Sequence, residues 1–75
     1  MKELIEYMAK NLVDEPDQVY VEEIRGSHST VLELRVASDD MGRIIGKGGR
    51  VANAMRALLR VAALREGKRV SLEIG

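Results

Sequence analysis

Residues 46–49 read Gly-Lys-Gly-Gly and sit between two stretches that each carry helical spacing. Such a run cannot lie inside one helix, because each glycine costs about 1 kcal/mol against alanine in a helix interior. The segment is therefore predicted to split into a short helix near 39–45 and a longer one near 50–65. Between them lies a turn with almost no side chains. A 75-residue chain that carries such a break must cover both helices with the little chain that remains.

The remaining periodicities supply that cover. Leu4, Ile5, Met8 and Leu12 recur at helical spacing, predicting an amphipathic helix over 2–12. Asp14-Glu15-Pro16-Asp17 ends it, since proline cannot continue a helix and biases its predecessor to extended geometry. Strands are predicted near 19–25, 30–37 and 69–74. In the second, Leu32, Leu34 and Val36 alternate with Glu33 and Arg35; in the third, Val70, Leu72 and Ile74 alternate with Arg69, Ser71 and Glu73. Arg25-Gly26-Ser27-His28-Ser29 has the length of a hairpin turn. Ser38-Asp39-Asp40 offers caps for the short helix, and Gly67 suits the stop of the long one. Along 50–65, Val51, Met55, Leu58, Leu59 and Ala62 are expected on the buried side, with Asn53, Arg56 and Arg60 as a polar stripe.

The order is thus αββααβ in one domain spanning 1–75. The first two strands share a short turn and are expected to pair antiparallel. The two intervening helices form a crossover long enough to make the second and third strands parallel neighbours. The predicted class is α+β, a three-stranded mixed sheet with helices packed on one face.

Composition narrows the chemistry. There is no cysteine and one histidine, so disulfides, thiolate metal sites and His-rich sites are excluded, and no metal or cofactor is expected. His28 falls in a turn, and no carboxylate pair, Cys–His or Ser–His arrangement suggests catalysis. No apolar run matches a membrane span and the N-terminus lacks the order of a signal peptide, so no membrane contact and a cytoplasmic location are expected. The formal net charge is zero, but residues 1–40 carry four bases against ten acids, net −6, and residues 41–75 eight bases against two acids, net +6. Two solvated halves that attract each other account for this, and so does a local field that binds an anion.

The glycine run favours the anion. Three glycines around Lys47 leave a bare backbone ridge under one cation, at the N-terminus of a helix whose free N–H groups face it. A tight helix-to-helix connector with an incidental lysine is the alternative. Other glycine motifs fail on spacing. A Walker A loop needs four residues between its first glycine and the Gly-Lys, then a hydroxyl; here three separate Gly42 from Gly46, and Gly48 stands where the hydroxyl belongs. A dinucleotide fingerprint needs glycine three places after Gly48, where the chain has Val51.

Ile45-Gly46-Lys47-Gly48-Gly49, flanked by helices inside a βααβ core, resembles the GXXG loop of the KH family. The N-terminal helix and strand ahead of that core are similar to the type II arrangement. The whole length resembles the small bacterial proteins built from one KH domain, the KhpA type. The resemblance implies a non-enzymatic protein that grips short single-stranded RNA, as a post-transcriptional regulator or RNA chaperone. Gly46 and Gly49 would set the loop, Lys47 and Gly48 would meet phosphate, and Arg43 and Arg50 would flank it within reach of phosphate. Ile44, Ile45, Val51 and Ala52 would be candidates for the groove floor, with core packing the alternative role of at least two of them; Asn53, Arg56 and Arg60, the polar stripe of the long helix, are secondary candidates whose alternative is a merely solvated face. Such proteins are also associated with self-pairing and with a second KH-containing partner. An adaptor working as a homodimer or heterodimer, through the exposed face of the first helix or the loop Asp14–Asp17, is therefore the other reading. One departure is visible: the family usually has a large aliphatic residue where this chain has Ala52, so no base preference follows from the resemblance.

Overall fold

The computed structural model describes residues 1–75. Its elements are α1 (Lys2–Leu12), β1 (Tyr20–Arg25), β2 (Thr30–Arg35), α2 (Met41–Ile45), α3 (Arg50–Arg65) and β3 (Val70–Ile74). Single 3-10 turns occupy Pro16–Gln18, Ser38–Asp40 and Lys47–Gly49. The sheet runs β1-β2-β3, antiparallel in the first pair and parallel in the second, as the connection lengths require.

The strand alternation sorts the side chains into two faces. Val21, Leu32, Leu34 and Leu72 point inward, where Ile5, Ala9, Ile44, Met55 and Leu59 close over them. Full burial of each of these larger aliphatic groups stabilises by roughly 1.5–3 kcal/mol. The outward face has no such cover. Register there aligns Glu22 with Glu33 and Glu33 with Glu73, a lateral row of three carboxylates. Like charges directly opposite one another weaken a sheet, so this face contributes little to stability.

Helix ends follow local chemistry. Val13 turns extended after α1, and the chain enters a 3-10 turn whose first residue is Pro16, where its missing N–H costs nothing. At the end of α3 the Lys68 amide donates to the Ala63 carbonyl and the Gly67 amide to Leu64, the pair of bonds that closes a helix in a left-handed residue.

Three local expectations are corrected. The second strand stops at Arg35, so Val36 and Ala37 lie beyond it. Leu58 was expected inside and is 54% exposed. The buried line of α3 is instead Ala52, Met55, Leu59 and Ala63, spaced 3-4-4 along the face that meets the sheet. Finally, Ser38-Asp39-Asp40 makes no side-chain cap for the short helix. Asp40 is 2% exposed and has a different role. Its two carboxylate oxygens accept the backbone N–H groups of Asp14 and Glu15 at 3.1 and 3.2 Å. It thereby ties the connector after α1 to the entrance of α2, satisfying both partners of an otherwise costly buried charge.

Candidate nucleic-acid interface

Gly46 carries the break between α2 and α3. Its φ of 76° and ψ of 169° lie in a region reached essentially by glycine alone. A Cβ there would stand 2.5 Å from Val51 Cγ2 and 2.8 Å from the Val51 nitrogen. The half-buried Val51 thus packs directly against the Gly46 backbone, which lets the two helices meet at this point. The chain then makes one 3-10 turn, Lys47–Gly49, with Gly48 at φ 64° and open space around it. The loop stands clear of the helices, and Lys47 at its tip is exposed.

The other candidate residues divide into three groups. Ile44 is fully buried and Ala52 is 4% exposed, so both belong to the core and present no surface to a ligand. Ile45, 41% exposed, and half-buried Val51 are the apolar surface beside the loop. Arg43 is exposed but engaged: one Nη lies 3.0 Å from Asp14 Oδ2, and its Nε lies 3.7 Å from Asp40 Oδ1. These two acids, which sequence patterning did not connect to Arg43, hold it on the connector after α1. The i, i+3 spacing could have found Asp40, at the start of the short helix; no local spacing marks Asp14.

Arg50, Asn53, Arg56 and Arg60 lie exposed along α3. Arg56 Nε donates to the Leu72 carbonyl at 3.3 Å, which fixes one flank of α3 over the edge strand β3. Asn53 and Arg60, three residues before and four after Arg56, share that flank by helical geometry. Gly49 lies one turn before Asn53, and a Cβ on it would sit 3.6 Å from Asn53 Nδ2. The loop, Asn53, Arg56 and Arg60 therefore form one continuous strip along the flank of α3 that faces β3. None of Lys47, Arg50, Arg56 and Arg60 has an acidic partner, and α3 contains no acid at all. Unpaired cations thus follow the loop and α3, while the carboxylate row lies on the far face of the sheet, which it shares with Arg35.

The family model described as KhpA/KhpB, KH domain, matches residues 2–74. The chain belongs to this KH-domain family. It is 54% identical over 74 residues to the RNA-binding protein KhpA of Clostridium acetobutylicum and 51% identical to that of Clostridium perfringens, covering 99% of each chain in both cases. The KhpA protein of Caldanaerobacter subterraneus subsp. tengcongensis is 55% identical over the same length. Among solved structures, the Aquifex aeolicus protein Era is similar in fold: TM-score 0.65 at 24% identity, over 97% of this chain and 28% of the Era chain. The αββααβ order and mixed sheet are thus those of a type II KH fold, in a family of binding proteins and not of enzymes.

The Gly46–Val51 contact makes a direct prediction about the loop. Gly46→Ala combines a forbidden backbone region with a clash and is expected to destabilise by about 3 kcal/mol. Gly48→Ala, in open space, is expected to cost about 1 kcal/mol. Urea denaturation of both variants checks the ranking; equal losses would mean that Gly46 is not the critical position.

Proposed function

We propose that this protein binds single-stranded RNA, holding backbone phosphates at Lys47, Gly48 and Gly49 while bases lie along the groove between α3 and β3. The relatives' names as RNA-binding proteins support the partner. The observation that supports the mechanism is the set of unpaired cations, Lys47 and Arg50 at a turn with little side-chain bulk and Arg56 and Arg60 further along α3. Cations without acidic partners gain most from phosphate, because no existing ion pair must be broken. A single domain over residues 1–75 suffices for such a grip. No helix is long and apolar enough to cross a membrane. The role we assign is that of a cytoplasmic post-transcriptional regulator or RNA chaperone.

Without an aromatic side chain beside the loop, base stacking contributes little and the backbone dominates. If about three phosphates are neutralised, counterion release from a single strand gives a salt slope near −2, an affinity loss of about twentyfold from 50 to 200 mM salt. Lys47→Asp replaces one positive charge by one negative charge at an exposed position of ordinary backbone conformation. It is expected to weaken binding at least tenfold, about 1.4 kcal/mol, with an unchanged melting temperature. Fluorescence anisotropy against salt concentration, beside circular dichroism, checks both; unaltered binding by the folded variant would remove the loop from the RNA site.

A second reading rests on a different surface. Ala54, Ala57, Leu58, Val61 and Leu64 form an exposed apolar stripe on the outward side of α3, with Leu58 and Val61 each more than half exposed. Such a stripe fits a protein partner, a second copy of the chain or another KH-containing protein. Val61→Asp is then expected to convert an oligomer to monomer in sedimentation velocity runs. A wild-type chain that is monomeric at all concentrations would contradict self-pairing.

A further inference from the structure

The cations of α3 are not equivalent. Arg50, Arg56, Arg60 and Arg65 are all exposed, and none has an acidic partner. Arg56 alone among them is tied to another element, through the bond from its Nε to the Leu72 carbonyl at 3.3 Å. That carbonyl is available because β3 is an edge strand. The Thr30 amide donates to the Arg69 carbonyl and the Gly75 amide to the Leu34 carbonyl, so Arg69 and Gly75 turn their peptide groups towards β2. By alternation Val70, Leu72 and Ile74 turn theirs to the open side. A guanidinium carries five N–H donors in one plane, and the bond to Leu72 uses one of them. The plane is thereby held, while the N–H groups on both Nη atoms stay free. Arg60 lies one turn further along the same flank, with the same charge and no such bond.

We propose that Arg56 is a phosphate contact held ready by β3, so that an RNA strand is gripped at two fixed points, the glycine turn and the edge of the sheet. This rests on the RNA-binding reading above. The free Nη pair forms a fork that can take two oxygens of one phosphate, a stronger and more directional contact than an ammonium makes. A mobile arginine must give up rotamer freedom to make that contact. Arg56 has given up much of it before the ligand arrives, so less of the interaction is lost to ordering. The bond to Leu72 persists on binding, because Nε–H and the fork lie on different edges of the guanidinium. Gly49 and Arg56 are about 10 Å apart along the α3 axis, so the turn and Arg56 serve different phosphates of the strand.

The test compares lysine and glutamine at positions 56 and 60, by anisotropy with a single-stranded U7 RNA heptamer across salt concentrations. Lysine keeps the charge without the planar fork, and glutamine keeps a donor without the charge. Arg56→Lys is expected to bind about fivefold more weakly at an unchanged salt slope. Arg56→Gln is expected to bind about tenfold more weakly, with the slope reduced in magnitude by about 0.7. Arg60→Lys should stay within about twofold of the wild type, and Arg60→Gln should lose no more than about threefold. All four variants should melt near the wild-type temperature. If Arg56 merely tied α3 to β3, its variants would melt lower and Arg56→Gln would keep the wild-type salt slope. That result, an Arg56→Lys variant that binds like the wild type, or equal responses at 56 and 60 would overturn the assignment. Failure of the RNA-binding reading itself would show separately, as a Lys47→Asp variant that binds U7 like the wild type.

Discussion

The close approach of the Gly46 backbone to Val51 is the contact on which the rest depends. With any side chain at 46 the Cβ would stand 2.5 Å from Val51 Cγ2, and α2 would have to be pushed away from the start of α3. Because the approach is possible, α2 ends after five residues and α3 begins on a new axis. The turn between them projects outward instead of continuing a rod. Ile44 on one side of the break and Ala52 on the other anchor it in the core. Asp40 clamps the far end of α2 to the connector after α1. A loop of three glycines would otherwise be soft; here both of its ends are held by buried groups, so the loop is presented on a fixed scaffold.

Charge is distributed to match. The formal net charge of zero conceals a molecule with two unlike sides. Cations without partners follow the loop and α3, whereas Glu22, Glu33 and Glu73 cross the uncovered face of the sheet. The cation-lined side is the one that attracts an anion. Arg43 is the exception that clarifies the rule. It lies close to the loop in sequence, yet it pairs with Asp14 at 3.0 Å and with Asp40 at 3.7 Å, which draws it towards the connector after α1.

Most of the fold was legible because its signals are local. Leu32 and Leu34 alternate strictly, Ile5 and Ala9 are one helical turn apart, and the glycines interrupt what would otherwise be one helix. What was not legible required knowing which faces meet. Leu58 and Leu59 are adjacent and equally apolar; which of them is buried depends on how α3 rolls over the sheet, and that is decided by Met55 and Ala63 packing together with Leu59. The same limit applies to Asp40, which reads as a helix cap from its position but bonds to residues 25 and 26 places earlier. Among the site residues, the loop itself could be read from composition. That at least two of Ile44, Ile45, Val51 and Ala52 serve the core was legible too; which two they are, and the pairing of Arg43 with Asp14 and Asp40, were not, because both follow from tertiary contacts.

The most direct test of the central claim, that the glycine-built turn is the ligand-gripping surface, is a backbone amide NMR titration of the wild-type protein with a short single-stranded RNA. The account predicts the largest shift changes at Lys47, Gly48, Gly49 and Arg50, smaller ones at Asn53 and Arg56, and none along Tyr20 to Ile24 or at Glu73. Changes concentrated on the carboxylate-bearing face of the sheet or along α1, with the turn silent, would contradict it.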